Sequence, residues 1–309
     1  MAPPAIVISD LTKRFGSLTA VDHLAFDVEP GEIFGLVGPD GAGKTTTLRM
    51  LAGVLSADGG TAMIAGHDVV RDPESAKPDL SYMSQRFGLY EDLTVDENIR
   101  FYADVFGVTR NERTRRAEEL LASAGLSDVG RRLAGKLSGG MKQKLGLVCA
   151  LIHTPRVLLL DEPTNGVDPV SRRDFWRIVY TLAAEGVAVL VSTSYLDEAE
   201  RCHRVGLLHH GRLLFCDRPD ALKQQFPGGV VAVRASAPGR VRDILAKAPG
   251  VRSSLLVGDR VHFFVDDPSR RLPELRRELD VQHVAYDAVE PVMPSVEDLF
   301  VSAVEGAAS

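Results

Sequence analysis

The sequence predicts an α/β protein in which a parallel sheet with covering helices is followed by a smaller α+β domain. Over the first part of the chain, short apolar runs alternate with helical patterns, an order typical of a parallel sheet. A glycine-rich turn joins one of these runs to a helix, and beyond Pro219 the composition and the order of the runs change. A chain of 309 residues is long enough for two domains. We therefore assign residues 1–220 to the first domain and residues 221–309 to the second.

The elements of the first domain follow from its hydrophobic patterning. Alternating runs predict half-buried strands at 5–8 and 25–28. Runs that are apolar on both faces predict buried parallel strands at 32–37, 157–160 and 187–191. Helical patterns lie at 45–55, 111–124, 140–152 and 171–185.

The second domain is predicted to have the order βαββαβ with a closing helix. Its strands are expected at 230–234, 251–257, 261–265 and 281–286, and its helices at 241–248, 272–279 and 295–304. Gly258 and Asp259 are suited to a hairpin turn between the second and third strands. This order is that of a small ferredoxin-like domain.

The composition excludes several classes of protein. Hydrophobic residues make up 45% of the chain and charged residues 25%, values typical of a globular protein with a buried core. The formal net charge of −6 argues against a nucleic-acid partner, and three scattered cysteines argue against a disulfide framework or a zinc site. The start of the chain lacks the pattern of a signal peptide, and no run approaches the ~18 apolar residues that a membrane helix requires. We expect a soluble protein of a reducing compartment.

The glycine-rich turn carries the most specific motif of the chain. It fits G-x-x-x-x-G-K-[ST] over Gly38, Pro39, Asp40, Gly41, Ala42, Gly43, Lys44, Thr45 and Thr46. Glycines let the backbone curl around a phosphate, so that N–H groups and the helix N-terminus face the anion. Lys44 would reach the β- and γ-phosphates, and the Thr45 hydroxyl would ligate Mg²⁺. The alternative is a turn that merely starts a helix, but the preceding strand and following helix favour a nucleotide site.

Two adjacent carboxylates follow the buried strand at 157–160. Asp161 at the end of this strand would lie beside the phosphate loop and hold the Mg²⁺ shell. Glu162 is then expected to orient or deprotonate the attacking water. The alternative is an ordinary polar strand end, although neighbouring carboxylates are costly unless a cation or a proton lies between them.

Residues 137–143 read Leu-Ser-Gly-Gly-Met-Lys-Gln, and together with the two preceding motifs they resemble the ATP-binding subunits of ABC transporters. The resemblance covers about residues 5–220 and implies a P-loop NTPase cassette of parallel-sheet core with antiparallel β and helical subdomains. It implies ATP and Mg²⁺ as cofactors. It also implies that Ser138, Gly139 and Gly140 contact ATP held by a second ATP-binding subunit, in a homodimer or heterodimer. Taken alone, Ser-Gly-Gly is a helix-capping turn.

Three further residues acquire roles from the same resemblance. Phe15 resembles the aromatic residue that stacks on adenine, and its alternative is a core aromatic. Gln85 resembles the glutamine that touches Mg²⁺ and the water and senses the transport subunit. Asp168 resembles the acidic residue of the loop that links the two sites across the dimer. A lone Gln or Asp is usually a solvated surface residue, and only the order of these residues along the chain favours the functional interpretation.

The sequence departs from the family pattern at three positions. Asp40 stands where Asn is common, and Met141 stands where the signature usually has Gln. Ser194 stands where the family has the switch histidine, which contacts the γ-phosphate and steadies the catalytic glutamate. Serine still donates one hydrogen bond, but loss of one transition-state contact costs about 10²–10³ in rate. We therefore expect Ser194, Glu162 and Gln85 to be the catalytic residues. We expect the site to bind ATP but to hydrolyse it slowly, or to depend on the intact site of a partner.

The sequence at 141–143, 164–169, 195–200 and 293–301 resembles that of the ATPases of daunorubicin-resistance-type and multidrug exporters. The implied function is an ATP-hydrolysing subunit that powers a separate polytopic membrane permease for export of drugs or other small molecules. The resemblance also implies a cytoplasmic location, peripheral on the inner face of the membrane, and a role for residues 221–309 in dimer contacts or regulation. The alternatives are a nucleotide-binding regulatory subunit with weak hydrolysis and a soluble, non-transport ABC ATPase acting on ribosomes or DNA.

Overall fold

The computed structural model describes residues 3–85 and 88–307. The chain divides into two compact units, Met1–Cys216 and Asp217–Ser309. Within the described residues, no helix is long and apolar enough to cross a membrane.

The first unit is built from two sheets and the helices between their strands. Its strands are β1 (Ile6–Phe15), β2 (Leu18–Val28), β3 (Ile33–Val37), β4 (Gly59–Ile64), β5 (His67–Asp68), β6 (Leu80–Met83), β7 (Val157–Asp161), β8 (Ala188–Thr193), β9 (Arg204–His209) and β10 (Arg212–Asp217). Its helices are α1 (Lys44–Leu51), α2 (Val95–Val105), α3 (Arg110–Ala124), α4 (Gly139–Leu151), α5 (Pro169–Ala184) and α6 (Leu196–Ala199).

The core sheet has the strand order β10-β9-β3-β8-β7-β6. Strands β9, β3, β8, β7 and β6 pair in parallel, which confirms the predicted parallel core. Every residue of β3, β7 and β8 is buried, and this explains why their sequences are continuous apolar runs rather than alternating ones. Parallel pairing also brings the carboxyl ends of β3, β6, β7 and β8 to one edge.

A second, antiparallel sheet has the order β2-β1-β4-β5 and contains the two strands predicted from alternation. Both extend well beyond 5–8 and 25–28. The prediction was too short because β1 has register shifts between Ile8 and Arg14 and a left-handed residue at Asp10 (φ 58°). Such irregularities reverse the inside–outside alternation on which the prediction depended.

The four predicted helices of this unit are present as α1, α3, α4 and α5. The short helix α6 was not predicted, and neither was α2. Its buried face is Val95, Asn98, Ile99 and Ala103, so a polar side chain interrupts the apolar stripe. The Asn98 amide is satisfied by backbone groups, including the carbonyls of Leu93 and Thr94. Strands β4, β5, β6, β9 and β10 were also not predicted, and α1 ends earlier than expected.

The second unit consists of α7 (Pro219–Gln224), β11 (Gly229–Arg234), α8 (Pro238–Leu245), β12 (Val251–Val257), β13 (Arg260–Val265), α9 (Pro268–Val281), β14 (Ala288–Val292) and α10 (Val296–Ala307). Its sheet order is β12-β13-β11-β14, with antiparallel neighbours. From β11 onward the elements follow the predicted order βαββαβ with a closing helix. One face of this sheet packs on a core that includes Val231, Phe263 and Leu275.

The last strand of this unit was predicted at the wrong place. Instead of 281–286 it is β14, because α9 continues to Val281 and a loop follows. Val284 is buried in the core and Tyr286 packs against it. The apolar residues of the predicted strand are therefore part of a packed loop, which sequence periodicity does not distinguish from a short strand.

Candidate active site

The loop between β3 and α1 has a backbone that only glycine fits at two positions. Gly43 has a left-handed φ of 108°, and a Cβ added there would collide with the carbonyl oxygen of Ala20. A Cβ on Gly38 would collide with the carbonyl oxygen of Leu208. The glycines of the motif therefore allow close backbone packing as well as the turn into the helix N-terminus.

Lys44, the first residue of α1, is 4% exposed and its ammonium group lies over this loop. It donates hydrogen bonds to the carbonyl oxygens of Gly38 (2.8 Å) and Pro39 (3.0 Å). Its Nζ also lies 3.3 Å from Oε1 of Glu162. The loop thus holds one buried cation next to the candidate catalytic carboxylate.

Asp161 is a buried carboxylate that accepts three side-chain hydrogen bonds. Oδ1 accepts from the hydroxyls of Thr45 (2.9 Å) and Ser192 (2.7 Å), and Oδ2 accepts from the hydroxyl of Tyr82 (3.1 Å). These donors come from α1, β8 and β6, which meet at the carboxyl edge of the core sheet. Burial, and next the charge of Asp161, raise the pKa of Tyr82 to about 12. Tyr82 therefore stays a protonated donor at neutral pH.

Glu162 follows Asp161 in a left-handed conformation (φ 47°). Its Oε2 accepts from the side-chain amides of Gln85 and Asn165, each at 3.2 Å. Its backbone N–H donates to the hydroxyl of Ser192 at 3.1 Å. A non-glycine residue in this region costs of order 1–3 kcal/mol, and it persists where its surroundings hold it firmly.

A cavity of about 630 Å³ opens between these groups, a volume within the range of small-molecule sites. It is lined by Phe15, Leu18, Ala20, Asp40, Gly41, Gly43, Lys44, Thr45, Thr46, Gln85, Glu162, Asn165, Ser194 and Tyr195. Four other predicted residues, Gly38, Pro39, Ala42 and Asp161, adjoin this wall without forming part of it. The Phe15 ring is 49% exposed, so it is not a core aromatic.

The wall near the end of β8 contains Ser194 and Tyr195. The Tyr195 hydroxyl donates to Oδ1 of Asn165 at 3.2 Å. The guanidinium of Arg172 lies 4.7 Å from the centre of the Tyr195 ring, within the range of a cation–π contact. Tyr195, the residue after the switch position, is thus connected through Asn165 to the candidate catalytic carboxylate.

The remaining predicted residues lie together at the N-termini of α4 and α5, outside the wall of this cavity. They are Ser138, Gly139, Gly140 and Asp168. The Ser138 hydroxyl accepts from the N–H of Met141, and the Asp168 carboxylate accepts from the N–H groups of Val170 and Ser171. Hydrogen bonds from Ser171 hold the pKa of Asp168 below its usual value.

Four polar residues of the site were not predicted: Tyr82, Ser192, Asn165 and Tyr195. Each lies within three residues of a predicted site residue, and each is the second-last residue of a strand of the core sheet or follows such a strand. Proximity to a strand's carboxyl end was the available signal. It was insufficient because any Ser, Tyr or Asn near such an end can serve as a donor.

Comparisons with known proteins identify relatives of the chain. A family profile described as "ABC transporter" matches residues 21–165. The chain is 42% identical over 315 residues to the Probable multidrug ABC transporter ATP-binding protein YbhF of Escherichia coli (strain K12), covering 99% of this chain and 53% of that protein. The chain therefore spans about half the length of that relative.

Two other relatives match along nearly their whole length. The Daunorubicin resistance ATP-binding protein DrrA2 of Streptomyces coeruleorubidus is 37% identical, over 96% of this chain and 94% of that protein. The Nod factor export ATP-binding protein I of Paraburkholderia xenovorans (strain LB400) is 35% identical, over 97% of each. A solved ATP binding subunit of an ABC transporter superposes with a TM-score of 0.66 at 31% identity, over 72% of this chain and 93% of that one.

Proposed function

The chain belongs to the ATP-binding proteins of ABC transporters, and from that premise we propose that it hydrolyses ATP to power a separate membrane permease. The observation that carries the proposal is that Lys44, Thr45 and Glu162 all line one cavity. Asp161 does not line the cavity but accepts a hydrogen bond from Thr45. A cation for phosphate, a carboxylate for water and a hydroxyl–carboxylate pair for a metal are the groups that phosphoryl transfer to water requires.

The proposed division of labour follows from the positions of these groups. Lys44 and the loop backbone bind the β- and γ-phosphates. Glu162 takes a proton from the attacking water while the water oxygen bonds to the γ-phosphorus. The bond between the γ-phosphorus and the bridging oxygen breaks, and ADP leaves. Gln85 donates a hydrogen bond to Glu162 and orients that carboxylate and the water.

Mg²⁺ fits the donor set at this site. Among the described residues no group of three or more His, Cys, Asp or Glu side chains converges on one point. Mg²⁺ does not need such a cage, because it usually keeps several waters and uses one or two carboxylates together with substrate phosphates. Thr45, Asp161 and Gln85 would hold it, and when bound it would neutralise charge on the phosphates.

We propose that Ser138, Gly139, Gly140 and Asp168 act on the ATP of a second ATP-binding subunit, as a homodimer or heterodimer. The support is their position: they lie together at the starts of two helices, α4 and α5, but not on the wall of their own chain's cavity. Residues 1–220 would then be the ATP-binding cassette, and residues 221–309 a C-terminal domain for dimer contacts or regulation.

An exposed apolar surface on and before α2 supports a permease partner. Tyr90, Phe101, Val105 and Phe106 are 46%, 38%, 63% and 37% exposed, and the rings of Tyr90 and Phe101 are in contact. Exposed apolar side chains that lie together mark interaction surfaces. We propose that a polytopic permease covers this surface and holds the chain at the inner face of the membrane. The net charge of −6 disfavours a nucleic-acid partner.

We propose export of drugs or other small molecules as the transport function. The support is the names of the relatives, which refer to multidrug transport, daunorubicin resistance and Nod factor export. Cargo selection belongs to the permease, so the chain's own residues act on ATP alone.

Steady-state ATPase assays of the purified chain test the proposal. Glu162→Gln is expected to lower kcat at least ~100-fold while nucleotide binding is retained, because the substitution removes the base but not the phosphate contacts. Glu118→Gln, an exposed change on α3, is the matched control and should leave kcat unaltered. Equal kcat in wild type and Glu162→Gln would contradict the proposal.

A regulatory subunit with weak hydrolysis is a second candidate, and Ser194 on the cavity wall is the observation that favours it. Ser194→His tests it, since restoring the contact should raise kcat about tenfold or more if hydrolysis is slow for this reason. Equal turnover of the two proteins would argue against slow hydrolysis caused by Ser194.

A further inference from the structure

The orientation of the Asn165 side chain is determined by its two partners. Its Nδ2 donates to Oε2 of Glu162, and its Oδ1 accepts from the hydroxyl of Tyr195, each at 3.2 Å. A carboxylate only accepts hydrogen bonds, and the tyrosine hydroxyl donates to the opposite end of the amide. Asn165 is exposed, so packing does not fix its amide and the two hydrogen bonds must do so.

Tyr195 is in turn held at two points, its backbone N–H and its ring. Its N–H donates to Oγ1 of Thr193 at 3.0 Å, and Thr193 donates to the buried carboxylate of Glu198 at 2.9 Å. Its ring lies against the guanidinium of Arg172. The Tyr195 hydroxyl is therefore presented to Asn165 by a segment that a backbone hydrogen bond and a cation–π contact hold in place.

We propose that Tyr195 and Asn165 form a positioning pair that holds the Glu162 carboxylate toward the cavity, in the place of the histidine that Ser194 does not supply. This inference rests on the proposed ATPase function. Neither residue takes part in proton transfer. Asn165 acts on Glu162 directly, and Tyr195 acts only through Asn165.

The geometry shows what the pair adds to the other contacts of Glu162. Oε1 of Glu162 faces Lys44, and Oε2 is shared between Gln85 and Asn165. Without Asn165, the amide of Gln85 is the remaining donor to Oε2 among those described above. Because the side chain of Ser194 is short and neutral, a longer connection from the next residue, Tyr195, restrains the carboxylate instead.

A double-mutant cycle on the full chain tests the pair. Tyr195→Phe, which removes only the hydroxyl, is expected to lower kcat about 3- to 10-fold, the effect of one hydrogen bond. Asn165→Ala is expected to lower kcat about tenfold or more, with the KM for ATP within about twofold in both. In the Asn165→Ala background, Tyr195→Phe should have no further effect, because its route to Glu162 is gone.

Two controls separate positioning from a general structural effect. Tyr180→Phe removes another tyrosine hydroxyl of the same unit, which donates to the Arg201 carbonyl at 3.0 Å, and it should leave kcat unchanged. In a Ser194→His background, Tyr195→Phe should change kcat less than about twofold, because the histidine resumes the contact. Urea unfolding of each variant, followed by tryptophan fluorescence, checks that the fold is retained.

The outcomes distinguish this inference from the proposed function. If Glu162→Gln abolishes turnover but Tyr195→Phe leaves kcat unaltered, the positioning pair is wrong and the ATPase function stands. The pair is also overturned if the Tyr195→Phe and Asn165→Ala effects multiply, since the two residues then act independently. Absence of turnover in the wild-type chain would overturn both.

Discussion

Replacement of Glu198 should destabilise the first unit more than any surface substitution near it. Glu198 is 0% exposed, and its carboxylate accepts hydrogen bonds from Thr164 (2.5 Å), Thr193 (2.9 Å) and the indole N–H of Trp176 (3.3 Å). Nε of Arg172 is buried, has no hydrogen-bond partner among the residues that the structure describes, and lies 3.6 Å from the same carboxylate. The Glu198 side chain therefore connects the loop after β7 and the end of β8 to helix α5.

The magnitude follows from what each substitution leaves behind. Glu198→Gln keeps the shape but removes the charge from the hydrogen bonds and from the pairing with Arg172, a loss of about 2–3 kcal/mol in the free energy of unfolding. Glu198→Ala leaves buried donors without an acceptor and an uncompensated cation, for about 3–5 kcal/mol. Asp197→Asn is the matched control. Asp197 is adjacent and reaches Arg172 at 3.7 Å, but it is 67% exposed, so its loss should cost less than about 1 kcal/mol.

Urea unfolding followed by fluorescence is the assay, because the chain has one tryptophan and it donates to Glu198. Trp176 lies in α5, so the signal reports on the unit that carries the substitution. Glu198→Gln should shift the midpoint to lower urea, whereas Asp197→Asn should leave it nearly in place. Equal midpoints for Glu198→Gln and the wild type would refute the reasoning that this carboxylate is a required buried acceptor.

Three further predictions concern the active site. Tyr82→Phe should lower the free energy of unfolding by about 1 kcal/mol at pH 7. It should also flatten the alkaline loss of stability, because the folded pKa of Tyr82, about 12, exceeds the unfolded value. In the wild type, the contribution of Tyr82 to stability should therefore fall by about 1–2 kcal/mol, after allowance for solvent, as pH rises from 10 to 12. Unfolding of both proteins at pH 9 to 12 checks this, and equal slopes would contradict it. Asp161→Asn should raise the Mg²⁺ concentration for half-maximal turnover at least ~10-fold, measured by titration with Mg²⁺; an unchanged requirement would exclude Asp161 as a ligand. Gly43→Ala should weaken binding of a fluorescent ATP analogue at least ~10-fold, because the Cβ collides with the Ala20 carbonyl; unchanged affinity would show that the loop tolerates a side chain there.

The sequence alone was sufficient for the elements whose pattern is local. β3, β7 and β8 were recognisable because each is buried along its whole length and reads as an apolar run. The phosphate loop was recognisable because its glycines, Lys44 and Thr45 are consecutive along the chain. The family resemblance, confirmed by relatives such as the daunorubicin resistance protein, depended on the order of such motifs.

Only the tertiary structure decided which side chains meet. The donors to Asp161 include Tyr82 and Ser192, which are 79 and 31 residues away in sequence, and Tyr195 reaches Asn165 across 30 residues. Strand β14 and helix α2 likewise depended on packing, the first because a loop carries the buried Val284 and the second because its buried face includes Asn98. The reason is the same in each case: a motif is fixed by neighbours along the chain, whereas a hydrogen-bond partner is fixed by which strands of the sheet lie side by side.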